Sequence, residues 1–184
     1  MKCTMLASHQ TMQKSIITLS LIAFISLACN RQPELPPSQA SPEISRNQLI
    51  AVNEKMLREE DELINDFITR YQWDMKKTGT GLRYMIYAEG EGPAAAEGHK
   101  ATVRYTVVLL NGDTCYTDMI RTFVVGKDKI ESGLDEGIRL MHVGDKAKFI
   151  LPSHLAFGLM GDRRAIPQKA TLVYDVLLME LNDR

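Results

Sequence analysis

Histidine and cysteine, the side chains that most often bind metals or attack carbonyls, are few here and poorly spaced for either task. The four histidines, His9, His99, His142 and His154, stand at no metal-ligand interval from one another or from a cysteine. They give neither zinc chemistry nor a Ser-His-Asp relay a foothold. Of the three cysteines, Cys3 lies in the leader and Cys115 reads as a small buried hydrophobe rather than a redox centre. No internal disulfide is available to the mature chain. Cys29 is the one whose spacing implies a reaction. It ends the charge-free run Ile16 to Ala28, too short for the roughly 20 residues of a spanning helix. The run reads as the apolar core of a secretory signal, with Lys14 as its positive flank and small Ala28 before the cut. Cleavage there leaves Cys29 at a new N-terminus, where bacterial lipoprotein processing attaches acyl chains. Ser26 and Leu27 sit one place out of step with the usual processing motif, so an ordinary signal with an incidental cysteine is the alternative. Met12 competes with Met1 as the start.

The residues after Cys29 support an anchor. Pro33, Pro36, Pro37 and Pro42 stand among Ser, Gln and Glu, with too few apolar side chains to bury. Such a tether holds a folded domain off a membrane surface. About 140 residues remain, enough for one domain and a helical extension. Formal net charge is −1 and the basic residues are dispersed, which argues against nucleic acid as a partner.

Any site in this domain needs helices and strands to hold it in place. Arg46 to about Tyr71 contains no Gly or Pro and is predicted to be helical. Leu49, Met56, Leu63, Ile64, Phe67, Ile68 and Tyr71 form one apolar stripe, for packing on its own domain or for a dimer or client surface. Trp73 reads as a packing residue. Beyond Gly79 and Gly81 the pattern turns to short strands. Leu82, Tyr84 and Ile86 alternate, and Val103, Tyr105, Val107 and Leu109 share one face of Ala101 to Leu110. Asn111-Gly112 is a hairpin dipeptide whose two positions both tolerate positive φ. Phe123 to Val125 is a further short strand. Ser132 with Asp135 predicts a capped helix over Gly133 to Met141, ended by Gly144. Lys146 to Leu151 and Ala170 to Leu181 are the last strands. The class is α+β: an antiparallel curved sheet wrapped on one short helix, preceded by an amphipathic one.

In that order, "VRYTVVLLNGD", "FVVGKDKIESGLDEGIRLMHVGDKAKFILP", "HLAFG", "AIP" and "ATLVYDVLLMEL" resemble the FK506-binding-protein family of peptidyl-prolyl isomerases. The match runs from about Gly98 to Asn182, roughly half the chain. With its extra helix and anchor, the chain also looks like the exported lipoprotein isomerases of Bacteroidota, including the type associated with gliding motility. The resulting division is 1–28 signal peptide, 29–45 tether, 46–75 helical extension, 76–97 leading strand and loop, and 98–184 isomerase domain.

The resemblance implies noncovalent chemistry without metal or cofactor. An X-Pro bond resists rotation by about 18–20 kcal/mol because a twisted amide loses its resonance. An apolar, aromatic-walled pocket that prefers the twisted form lowers that barrier. Residue by residue, the resemblance assigns Tyr105, Phe157 and Tyr174 to catalysis. It assigns Tyr116, Phe123, Ile130, Glu131, Leu134 and Ile166 to substrate binding. Phe157 replaces a family Tyr, and Tyr174 a family Phe. Leu134 stands for the pocket-floor tryptophan, Arg121 for a wall aromatic, and Glu131 for the aliphatic residue whose N–H binds the ligand carbonyl. After the Asn-Gly turn the family's Phe-Asp becomes Cys115-Tyr116, or Tyr116-Thr117 with a one-residue slide. The family's aspartate is missing unless Asp118 reaches in.

The expected protein is therefore a weak isomerase of the bacterial cell envelope. It is lipid-anchored, by expectation to the outer membrane with its domain in the periplasm. Its partners are proline-containing envelope proteins, macrolide inhibitors, the membrane through its lipid, and a second copy through the N-terminal helix. The rival reading is a catalytically weak or inactive chaperone or assembly module built on the same cavity.

Overall fold

The computed structural model describes residues 45–183. The expected signal peptide, Cys29 and all but the last residue of the tether lie outside the described residues. Among the described residues no helix is long and apolar enough to cross a membrane.

The long helix α1 spans Arg46–Tyr71. It is followed by β1 (Lys76–Lys77), β2 (Arg83–Ala88), β3 (Lys100–Leu109) and β4 (Thr114–Val124). Then come the short helix α2 (Ser132–Ile138), β5 (Lys146–Leu151), a single 3₁₀ turn (Ser153–Leu155) and β6 (Leu172–Asn182). The six strands form one antiparallel sheet in the order β1-β2-β5-β6-β3-β4. This is the α+β arrangement expected from the sequence.

Alternation along the strands gives the sheet two different faces. Val103 and Val107 of β3, Ala147, Phe149 and Leu151 of β5, and Leu172, Tyr174, Val176 and Leu178 of β6 point inward to α2. The intervening Val108, Ile150 and Val173 point outward, where Ile64 and Phe67 of α1 cover them. On the inner side, two glycines let α2 approach closely. A Cβ on Gly133 would lie 2.6 Å from Leu151, and one on Gly137 would lie 2.7 Å from the Phe149 ring. Register shifts between Tyr105 and Val107, and between Val107 and Val108, mark bulges that bend β3 and β4 around the helix.

Helix α1 is held by polar clasps as well as by Ile64 and Phe67. Buried Arg83 donates to Asp61 at 2.6 Å, to Asn65 at 3.3 Å and to the Gly81 carbonyl at 2.8 Å. Glu60 accepts from the Ser153 N–H at 2.6 Å, the Ser153 hydroxyl at 3.1 Å and the Thr171 hydroxyl at 2.6 Å. Trp73 packs edge-on against Phe67, ring centroids 5.4 Å apart, as a packing residue should. Beside it the Tyr87 hydroxyl donates to Asp175 at 2.7 Å. Burial first, and then the negative Asp175, push the Tyr87 phenol up to about 12.

The apolar stripe of α1 is covered only in part: Ile64 and Phe67 are buried, whereas Leu49 is 55% and Leu63 60% exposed. Four local expectations need correction. Strand β4 begins at Thr114, well before Phe123. Helix α2 starts one residue early and ends at Ile138, with Glu131 at its N-cap and no side-chain capping bond. Gly144, at φ +97°, therefore serves the turn into β5 rather than the end of α2. In the β3–β4 turn only Gly112 takes positive φ; the Asn111 side chain accepts from the Asp113 N–H at 3.0 Å instead.

Candidate active site

The bulge in β3 and β4 opens the inner face of the sheet beyond the end of α2. A cavity of about 710 Å³ lies there. Tyr105 comes from β3 and Tyr174 from β6, which pair directly, so the two rings meet at 5.5 Å and 41°. Ile130 and Glu131 enter from the loop that leads into α2. Phe157 and Ile166 enter from the long connection between the 3₁₀ turn and β6. Tyr116 enters from β4. Seven of the nine residues assigned to catalysis and substrate binding thus line one cavity.

Phe123 and Leu134 do not line it. Phe123 shares the inner face of β4 but pairs with Ala101, farther from the opening, and is buried among core residues. Arg121, two positions nearer the opening, takes the place on the wall. Leu134 is 0% exposed, its side chain enclosed in the packing of α2 against the sheet.

The cavity is more polar than its aromatic walls suggest. The Arg121 guanidinium donates to the Glu131 carboxylate at 3.0 Å, and the Glu131 side chain is only 8% exposed. Asp118, at φ +51° in the β4 bulge, does not reach in; it pairs with Arg104 at 3.4 Å outside the cavity. A carboxylate the sequence did not single out stands on the cavity wall. Asp162 lines the cavity and accepts from the Tyr116 hydroxyl and from the backbone N–H of Arg164 and Ile166, each of the latter at 2.8 Å. Sequence reasoning missed Asp162. An Asp two residues before an exposed backbone amide is an Asx-turn signal, and "GDRRAI" carries it.

These contacts set the protonation states. Burial works against ionising Asp162, but the bonds from Tyr116 and from the Ile166, Arg164 and Ala165 amides outweigh it and hold the carboxyl below its usual range. Tyr116 is raised, first by that same bond. Burial is the main cause that raises Tyr105 and Tyr174, with Arg121 partly opposing it in both. The three hydroxyls stay neutral donors at physiological pH. Burial also pushes the Cys115 thiol up; its Sγ lies 3.5 Å from the Ala165 carbonyl, and it is not on the cavity wall. The arrangement suits recognition of an uncharged group among rings and neutral donors, and it presents no activated nucleophile.

Comparison with known proteins agrees with this geometry. A family model described as FKBP-type peptidyl-prolyl cis-trans isomerase matches residues 92–179. The peptidyl-prolyl cis-trans isomerase Fkbp12 of Drosophila melanogaster is 33% identical over 106 residues, covering 55% of this chain and 98% of the relative. FK506-binding protein 4 of Dictyostelium discoideum is 37% identical over 103 residues, 54% of this chain. Those residues span only 28% of that relative's length. The crystal structure of a peptidyl-prolyl cis-trans isomerase from Pseudomonas syringae shares the fold at a TM-score of 0.61 and 22% identity, covering 71% of this chain and 96% of that one. With nearly the whole of the Drosophila protein matched, and the aromatic cavity falling inside the matched region, the chain belongs to the FKBP-type peptidyl-prolyl cis-trans isomerase family.

Proposed function

We propose that the chain accelerates cis–trans isomerisation of X-Pro peptide bonds. The observation that carries the reading is the convergence of Tyr105, Phe157 and Tyr174 with Ile130 and Ile166 on one cavity. A proline ring seats against the aromatic walls, which strips water from the amide. As the C–N bond twists, the amide loses resonance and charge separation, and an apolar wall favours that form over either planar one. The Glu131 N–H is the donor assigned to the substrate carbonyl. Tyr116 and Asp162 shape the mouth from opposite sides.

Turnover is modest in this reading, since Arg121 and Glu131 place an ion pair where an unbroken apolar wall would hold the ring more tightly. The experiment is refolding of a proline-limited protein with the chain present, with and without a macrolide inhibitor of FK506-binding proteins. Acceleration that the inhibitor abolishes supports the enzyme. No acceleration and no inhibitor binding, with suppressed aggregation of the refolding protein, supports a chaperone or assembly module instead.

The setting is proposed from sequence. An acylated Cys29 anchors the protein to the bacterial envelope, and its clients are proline-containing envelope proteins. Mass spectrometry of the mature N-terminus decides the acylation, and Cys29→Ser should release the protein from membranes. A second copy pairing through the exposed first half of α1 would appear as a dimer in sedimentation.

A further inference from the structure

Beyond the aromatic walls, the mouth of the cavity carries an uneven charge. Both carboxylates that line it are already engaged: Glu131 with the Arg121 guanidinium, Asp162 with the Tyr116 hydroxyl and two backbone amides. Lys129 and Arg164 also line the cavity, and both are exposed. Neither side chain has an ion-pair or hydrogen-bond partner among the described residues. The chain as a whole has a formal charge of −1, so this positive excess is local rather than a general property of the surface.

The two cations are carried by the segments that supply the apolar contacts. Lys129 directly precedes Ile130, and Arg164 lies two residues before Ile166. A proline ring held between Ile130 and Ile166 brings the side chains of its sequence neighbours to the mouth, beside Lys129 and Arg164. An incoming carboxylate finds two unpaired cations there, whereas an incoming ammonium finds Glu131 already paired with Arg121 and only Asp162, bonded to neutral donors, to set against them. Resting on the isomerase reading, we infer that Lys129 and Arg164 are specificity-determining residues that select X-Pro segments with Asp or Glu next to the proline. The selection is electrostatic and solvent-exposed, so it is graded rather than absolute and weakens with salt.

The test uses the full chain and two matched sets of blocked peptides, with Glu, Leu or Lys placed either before or after a single proline. Isomerisation rates are read by NMR exchange at low and high ionic strength. In at least one set the Glu peptide should exceed the Lys peptide by roughly tenfold in kcat/KM at low salt, falling towards equality at about 1 M salt. Arg164→Gln should give an intermediate ratio, and Lys129→Glu with Arg164→Glu should invert it. Ratios within one variant cancel any change in overall activity. Equal rates for Glu and Lys peptides in both sets, or a ratio unmoved by the charge reversal, would overturn the assignment. Absence of isomerisation on every peptide would sink the isomerase reading alone. Dissociation constants of the same peptides then judge the selectivity, and equal affinities would reject it.

Discussion

The Tyr116 hydroxyl donates to the Asp162 carboxylate, joining β4 to the loop that precedes Ile166 across the mouth of the cavity. The other Asp162 oxygen holds the Arg164 and Ile166 amides, so one carboxylate orders both the rim and an apolar contact. Asp162→Ala removes all three bonds at once. It should weaken binding of a proline peptide about tenfold, consistent with about 1–2 kcal/mol of lost loop order. Tyr116→Phe removes only one bond and should cost less. Titration of a Leu-Pro peptide into each variant checks the ranking.

The pH dependence of that loop comes from the same bonds. Asp162 has a folded-state pKa below its ordinary 3.8, so its contribution is fully present above the unfolded value and lost as pH falls through the folded one. Affinity for an uncharged peptide should be flat from pH 8 to about pH 5 and decline only below about pH 4. A transition near pH 6 would show that another group governs the mouth.

Leu134 and Phe157 should separate stability from function. Leu134 is fully enclosed, and Leu134→Ala should cost about 2–5 kcal/mol in denaturant unfolding. Leu134→Trp should also destabilise, by about 1–3 kcal/mol, because a larger ring has no room beneath α2. Phe157 is only partly buried on the cavity wall, so Phe157→Ala should lower kcat/KM more than it lowers stability.

Glu60 fastens α1 to the rest of the domain through Ser153 and Thr171. Glu60→Ala leaves the buried Thr171 hydroxyl and the Ser153 amide without their acceptor, at a cost of about 1–3 kcal/mol. Hydrogen exchange should then rise first in α1 while the amides of β3 and β6 keep their protection. Loss of protection throughout would mean that the helix and the sheet unfold as one unit.

These features were unequally legible in the sequence. Strands β3, β5 and β6 were legible because the face that meets α2 is apolar at every second residue, although Ile150 and Val173, buried under α1 on the other face, break strict alternation. Most of β4 carries no such pattern. From Thr114 to Thr122 it is an edge strand whose outward face meets water, so Thr and Asp interrupt the pattern, and Arg121 interrupts it on the cavity side. The stripe of α1 is real as a pattern, yet a pattern cannot say how far the underlying sheet extends, and here only Ile64 and Phe67 are buried, with Met56 and Ile68 half-buried. Most cavity residues were legible through resemblance. Phe123 and Leu134 lie in the core rather than on the cavity wall, a distinction the sequence does not carry because position in a motif does not fix depth beneath the surface. Asp162 escaped because its partner Tyr116 lies far away in sequence and no local spacing records a side chain crossing between walls.

The pairing of β3 with β6 puts the two tyrosine rings side by side although about 70 residues separate them along the chain. On a ribosome, β3 emerges with β4 as a hairpin whose other edge stays open until β6 has been made. That edge is a row of unpaired amides and carbonyls, a template for any other strand that arrives first. Folding dominated by such distant pairing is slow, on the order of milliseconds to seconds. The cavity therefore cannot form on a partly synthesised chain. A protein proposed to ease slow steps in others must first pass through a slow, adhesive stage of its own.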